Sequence, residues 1–278
     1  MIGAVIGDIV GSPYEFNQNN IKTTIFPLFT DRCEWTDDTV MSAATAKTLL
    51  EIDEPEKYIK ETDFKNKLID NYKAYGKIYH DAGYGPRFYA WLDTDSRDPI
   101  GSCGNGSAMR VSPVGWVFNT LEETEKVAKW SAEITHDHPD GIAGAQATAA
   151  AIWMARNGKN KKEIYEYINN KYYSLNFTLD SIRPTYKMTA TCATSVPHAI
   201  RAFIEGNTFE DCIRLAVSIG GDSDTIACIT GSIAEAYYHI PDNIIKDAYI
   251  RIEGTTLSDP IVRFDRHYCH KNIDEYFN

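Results

Sequence analysis

Apolar residues recur along this chain with the spacing of a helix face far more often than with the alternation of a strand. The pattern predicts helices over roughly residues 2–11, 37–51, 55–75, 85–92, 107–117, 121–134, 141–157, 160–170, 190–205, 208–218, 224–238 and 242–252, with ends placed to within about 2–4 residues. Asn157-Gly158 and Gly206-Asn207 read as helix stops, and Asn160 and Thr208 as restarts. Period-two alternation is scarce, and Ile21 to Phe26 and Tyr172 to Leu179 are the best strand candidates. No Pro-, Ser- or Gly-rich linker, internal repeat or low-complexity run divides the sequence. The expectation is a single all-α domain spanning residues 1–278.

Two of the predicted helices begin on acidic stretches. Trp35-Thr36-Asp37-Asp38-Thr39 precedes the apolar positions Val40, Met41, Ala44 and Thr48. Gly220-Gly221-Asp222-Ser223-Asp224-Thr225 precedes Ile226, Ile229, Ile233 and Tyr237. Thr and Asp are ordinary N-cap residues, and acids suit the positive end of a helix dipole. A cap accounts for one such residue. It accounts poorly for Asp37 beside Asp38, or for Asp222 with Asp224, because neighbouring carboxylates repel and a cation best offsets that cost. Carboxylate and hydroxyl ligands without Cys or His select Mg, Mn or Ca over Zn. A shared site would need the N- and C-terminal parts to pack together, which also favours one domain.

Composition narrows the function classes. Of 278 residues, 43% are apolar, enough for a sizeable core without staples. A formal net charge of −11 argues against a nucleic-acid-coating or anionic-membrane surface. It leaves room for a small anionic ligand, since a bound metal reverses the local sign. The six cysteines are scattered and form no CxxC pair, as expected for reduced thiols in a cytoplasmic protein. The opening MIGAVIGDIVGS has no basic stretch and meets Asp8 too early for a signal peptide. The most apolar run, Gly141 to Ala155, is too short to span a bilayer.

Other segments carry candidate chemistry. Glycines in Gly7-Asp8-Ile9-Val10-Gly11-Ser12-Pro13-Tyr14-Glu15 allow a backbone to approach a helix or ligand, and Glu15 in the following loop is within reach of a metal site or simply solvated. The run Gly101-Ser102-Cys103-Gly104-Asn105-Gly106-Ser107-Ala108-Met109-Arg110 enters an apolar helix, either as a phosphate-cradling junction or as a plain turn. It is neither a Walker A loop nor a dinucleotide fingerprint. His136 is a metal or phosphate contact, or a cap at a helix C-terminus. Tyr84, Phe88, Tyr89 and Trp91 offer stacking surface but have the spacing of a buried face. His267, Cys269 and His270 can be read as a zinc site, but no second ligand cluster accompanies them.

Five segments taken together resemble the ADP-ribosylglycohydrolase family: GDIVGSPYE at 7–15, WTDDT at 35–39, GNGSAMRVSPVG at 104–115, THDHPDGIAGAQATA at 135–149 and GGDSDT at 220–225. They fall in the family's order and span most of the chain. The resemblance implies an all-α fold with two divalent cations, Mg or Mn, in a central cleft. It implies metal ligands at Thr36, Asp37, Asp38, Asp222, Asp224 and Thr225. Glu15 matches a glutamate beside the metals in serine-directed members, linked there to gating and catalysis. Glu15 and Asp38 are the candidate catalytic carboxylates. Gly101, Ser102, Cys103, Gly104, Asn105 and Gly106 match the loop that wraps the diphosphate and distal ribose, and His136 matches a histidine that contacts ADP-ribose. Cys103 departs from relatives that carry an aromatic residue there, which reduces stacking surface.

The implied activity is metal-dependent hydrolysis of the bond between ADP-ribose and an acceptor. The partner is then an ADP-ribosylated protein or small molecule, with the acceptor open. Two rival readings remain. His80-Asp81 and His136-Asp137 are HD dipeptides, as in HD-type metal-dependent phosphohydrolases, but that reading leaves both acidic helix starts unexplained. A non-catalytic ADP-ribose-binding module is the other.

Overall fold

The computed structural model describes residues 1–270. Its α-helices, in chain order, are α1 (Ile2–Gly11), α2 (Asp37–Leu50), α3 (Pro55–Tyr58), α4 (Glu61–Ile78), α5 (Pro86–Leu92), α6 (Gly106–Met109), α7 (Ser112–Val117) and α8 (Leu121–Glu133). There follow α9 (Pro139–Arg156), α10 (Lys161–Lys171), α11 (Leu179–Ile182), α12 (Cys192–Glu205), α13 (Phe209–Ser218), α14 (Ser223–Tyr237), α15 (Asp242–Ile252) and α16 (Ser258–Tyr268). A 3-10 turn, Ser12–Tyr14, continues α1. No strand forms among the described residues, and one isolated bridge joins Gly104 to Thr191.

The core is built on α1 and α14. All ten residues of α1 are buried, as befits a helix that is apolar nearly all round. Its glycines fall at every fourth position and share one face. A Cβ on Gly3 would lie 2.3 Å from the carbonyl oxygen of Gly231, and one on Gly7 would lie 2.0 Å from that of Ala227. One on Gly11 would lie 2.4 Å from the Cα of Asp224. The two helices therefore run antiparallel with their backbones in contact. Residues 223–235 of α14 are buried as well, because α9, α12 and α13 cover its other sides. Helix α2 packs on α1 and α4. A single contiguous apolar cluster runs through these elements.

The all-α expectation holds, with local corrections. Both strand candidates are irregular. Ile25 in the first is 87% exposed, so its alternation buries no face. In the second, Leu175 and Leu179 are buried against helices, and the Leu175 N–H finds the Asn169 side chain rather than a neighbouring strand. The expected helix over 55–75 splits into α3 and α4. The one over 107–117 breaks at Arg110, and Pro113 opens α7. Helix α16 was not expected. Its buried Ile261 and Phe264, after Leu257, carry the helical spacing that would have marked it. No helix of the described residues is long and apolar enough to cross a membrane.

Gly7→Ala tests the α1–α14 contact against helix propensity. Propensity alone favours alanine by about 1 kcal/mol. The clash with Ala227 is expected to win and to destabilise the protein by about 1–3 kcal/mol, seen as a lower melting temperature. An unchanged or raised melting temperature would show that the two helices can part without cost.

Candidate functional site

Three helix ends converge on one cleft of about 540 Å³: the C-terminal end of α1 and the N-terminal ends of α2 and α14. The antiparallel packing of α1 on α14 brings Gly11 and the turn after it to Ser223 and Asp224. Thr36 caps α2, its hydroxyl accepting from the Asp38 N–H at 3.3 Å. Asp222 stands at the cap position of α14 but makes no cap bond. Its carboxylate instead accepts from Asn105 Nδ2 at 2.6 Å, and Asn105 also donates to Ser195.

Asp8, the one charged residue of α1, organises the junction. It is fully buried and accepts four hydrogen bonds. Two come from the N–H and hydroxyl of Thr36 at 2.9 and 2.7 Å. Two come from the N–H and hydroxyl of Thr39 at 3.1 and 2.5 Å. Oxygens of Asp8, Asp38 and Asp224 lie within 4.8 Å of one another, and so do those of Glu15, Asp222 and Asp224. Asp224 belongs to both groups. Asp38 accepts on Oδ2 from Thr225 at 3.2 Å, and Thr36 Oγ1, whose hydrogen goes to Asp8, stands 3.4 Å from the same oxygen. Its Oδ1 is buried with no partner in the protein.

Burial pushes every one of these carboxyl groups upward. Asp8 rises to about 6 and Glu15 to about 7. Asp37, Asp38 and Asp224 stand well above the usual carboxylate range, first from burial and then from the charges of neighbouring acids. Asp222 rises too, with the Asn105 bond pulling the other way. An orphaned buried carboxylate oxygen among other acids is satisfied by a proton or a cation. Clustered carboxylates with threonine hydroxyls beside them form a hard oxygen donor set, which fits divalent cations such as Mg or Mn.

Of the residues expected at the site, Glu15, Thr36, Asp37, Asp38, Asp222, Asp224 and Thr225 all line this cleft. So do Ser102, Gly104, Asn105, Gly106 and His136, whereas Gly101 and Cys103 do not. Asp37 lines it without joining either three-carboxylate group. The glycine loop is held from behind. The N–H groups of Gly101, Ser102, Gly104 and Asn105 bond to Asp137, Thr135, Ser102 and Ala190. His136 is 4% exposed and turned into the protein rather than capping a helix in solvent. Tyr84 and Phe88 line the cleft, while Tyr89 bonds His80 and Trp91 stacks on Phe88.

The HD dipeptides and the C-terminal zinc candidate do not assemble into sites. His80 is half exposed, bonds Asp93 and Tyr89, and lies outside the cleft that holds His136. Cys269 sits with Glu235 and Asp265, and the Met1 amine lies against all three. Among the described residues, His267 and His270 join no ligand cluster. Sequence reasoning passed over Asp8, although a lone acid in an apolar helix without a basic partner was its signal. It also passed over the support that Asn105 gives Asp222.

A sequence profile of the ADP-ribosylglycohydrolase family matches residues 1–260. The chain belongs to the ADP-ribosylglycohydrolase family. Human ADP-ribosylhydrolase ARH3 is 25% identical over 308 residues, covering 86% of this chain and 84% of the human protein. ADP-ribosylarginine hydrolase Tri1 of Pseudomonas putida is 26% identical, covering 86% of this chain and 70% of that protein. The solved structure of an ADP-ribosylglycohydrolase-related protein complex matches with a TM-score of 0.65 at 22% identity, covering 95% of each chain, which shows the fold. The resemblance carried by the five sequence segments is confirmed.

The raised carboxyl groups give a signed pH dependence. Above pH 6.5 an unfolded chain has lost its carboxyl protons, while the folded metal-free protein retains some on Glu15, Asp37, Asp38 and Asp224. The folded state binds more protons, so stability falls as pH rises. Histidines with lowered values act in the opposite sense, an effect that fades as the unfolded imidazoles finish losing their protons just above pH 6.5. Melting curves in EDTA are expected to shift downward from pH 6.5 to pH 8, and less so for Asp38→Asn. A flat or rising profile would contradict the burial of these acids.

Proposed function

We propose that the cleft hydrolyses the glycosidic bond between ADP-ribose and an acceptor, using two divalent cations, Mg or Mn. The acceptor is a protein side chain or a small molecule. The observation that carries this reading is the pair of three-carboxylate groups sharing Asp224, of which Glu15, Asp38, Asp222 and Asp224 line one cleft while Asp8 lies buried behind them. Membership of the family, whose relatives are named for hydrolysis of ADP-ribose linkages, supports the reaction class.

Asp38 and Asp224 would hold one cation, with the hydrogen-bonded Asp8 buried beside them, and Glu15, Asp222 and Asp224 the other. Thr36, Thr225 and Asp37 complete the oxygen lining. When bound, the cations supply Lewis-acid polarisation of oxygens around the scissile bond. The chain's own groups do the rest. Glycosidic cleavage develops positive charge on the sugar, and an acidic wall stabilises it. Glu15 is partly exposed at the cleft and can take a proton from an attacking water. Asp38 is 1% exposed, so its role is better matched to holding a cation than to exchanging protons with water. Asn105 fixes the Asp222 carboxylate from behind, in the manner of an outer-shell support. Ser102, Gly104, Gly106 and His136 line the part of the cleft that would receive the diphosphate and distal ribose, fixing the sugar by contacts remote from the reacting carbon.

Asp222→Ala is expected to lower turnover of ADP-ribosylated substrates on the order of 10²-fold or more, with the helical circular dichroism retained. Arginine-linked, serine-linked and small-molecule substrates belong in the panel. Near-normal turnover by the variant would overturn the two-cation assignment. ADP-ribose binding with no turnover of any substrate by the unaltered protein would favour a binding module instead.

A further inference from the structure

Arg110 is a buried arginine that makes no ion pair, although the more distant charge of Asp37 acts on it. It is 1% exposed, and its guanidinium sits 4.5 Å from the ring centre of Tyr72 and 5.1 Å from that of Phe88. Its Nε has no partner. Its Nη2 donates to Thr135 Oγ1 at 2.6 Å and lies 3.4 Å from His136 Nδ1. Burying a charge in this way is costly, and neither aromatic ring offers a compensating carboxylate. The cost has a direct consequence for the neighbouring imidazole.

A guanidinium only donates. Thr135 Oγ1 therefore accepts from Arg110; if its second lone pair also took an Nδ1–H, its own hydrogen would have no acceptor among the described residues, so that hydrogen goes to His136 Nδ1 at 2.8 Å. Every group facing Nδ1 is then a donor, so Nδ1 carries no proton and the ring hydrogen sits on Nε2. Nε2 faces the glycine loop. A Cβ on Gly106 would lie 3.1 Å from it, and one on Gly104 3.4 Å. Both glycines line the cleft, and their bare backbone leaves the ring edge open to it. Burial, followed by the charges of Arg110 and Arg87, holds His136 well below the usual histidine range, so the ring is neutral.

We propose that Arg110 and Thr135 are positioning residues that lock His136 in the Nε2–H tautomer, so that a neutral imidazole presents one fixed hydrogen-bond donor to an anionic oxygen of the substrate. That the oxygen belongs to a diphosphate rests on the proposed function; the tautomer lock does not. A neutral donor orients the anion without adding a second charge to that of Arg110 behind it. The wrong tautomer would present a lone pair to a phosphate oxygen and repel it.

The test uses the full chain with ¹⁵N-labelled histidine, in long-range ¹H–¹⁵N spectra near pH 7.5, with His136→Gln assigning the signal. The unaltered protein is expected to show a single Nε2–H tautomer at His136. Thr135→Val, nearly the same shape, leaves only the longer Arg110 contact, and the ring is expected to become a tautomer mixture. Thr135→Ser is expected to restore the single form. ADP-ribose affinity, measured by calorimetry with Mg present, is expected to fall about threefold to tenfold in Thr135→Val and to recover in Thr135→Ser. Arg110→Met is expected to act in the same direction, and the Thr135 pair decides the matter if that variant does not fold. A proton on Nδ1 in the unaltered protein, or an unchanged ring in Thr135→Val, would overturn the lock. An unchanged affinity alongside a shifted tautomer would overturn its role in binding. A shifted tautomer in a protein that binds no ADP-ribose in any form would uphold the lock and sink the reading of the cleft.

Discussion

Backbone contact between α1 and α14 is the constraint from which the site follows. Gly3, Gly7 and Gly11 remove the side chains that would otherwise separate the two helices. The antiparallel approach then delivers the C-terminal end of α1 to the N-terminal end of α14. Asp8 and Glu15 arrive from one side, and Asp222 and Asp224 from the other. Helix α2 joins because Asp8 gathers the N–H and hydroxyl groups of Thr36 and Thr39. A chain that begins its fold on one acidic segment and closes it on another thus makes one cleft from residues more than 200 positions apart.

This arrangement concentrates carboxylates where water is excluded, and the fold meets the cost only in part. Asp8 is fully hydrogen-bonded, and Asp222 has Asn105. Asp38 keeps one oxygen with no partner, and Asp224 belongs to both acidic groups. Neutral donors can offset desolvation, but they do not cancel the repulsion among several buried acids. The unbalanced remainder is the physical case for cations. The same cleft also carries a buried cation, with Arg110 set against aromatic rings and its Nη2 beside the His136 imidazole. A cleft lined by both carboxylates and a guanidinium suits a ligand that carries both sugar hydroxyls and phosphates.

Much of this was legible in the sequence, and the exceptions have causes. The helical period was readable because most helices bury one face, and the acidic pairs stood out because a cap needs only one of them. The strand candidates misled because alternation in Ile21 to Phe26 reflects a surface segment rather than a sheet. Helix α16 was missed because its apolar positions are few and lie in a polar stretch, although Leu257, Ile261 and Phe264 have the right spacing. Asp8 was visible as a residue but not as a site member, since its partners Thr36 and Thr39 become neighbours only through the packing of α1 on α2. The glycine loop was recognisable by composition, yet the direction of its N–H groups depends on Ala190 and Asp137, which sequence spacing does not reveal.

The most direct test of this account is electron paramagnetic resonance of the metal-free protein titrated with Mn. Two ions held by groups that share Asp224 are expected to saturate at two per chain, with the spectrum of a spin-coupled pair. Saturation at one ion, two uncoupled ions, or no tight binding would contradict the binuclear centre on which the account rests.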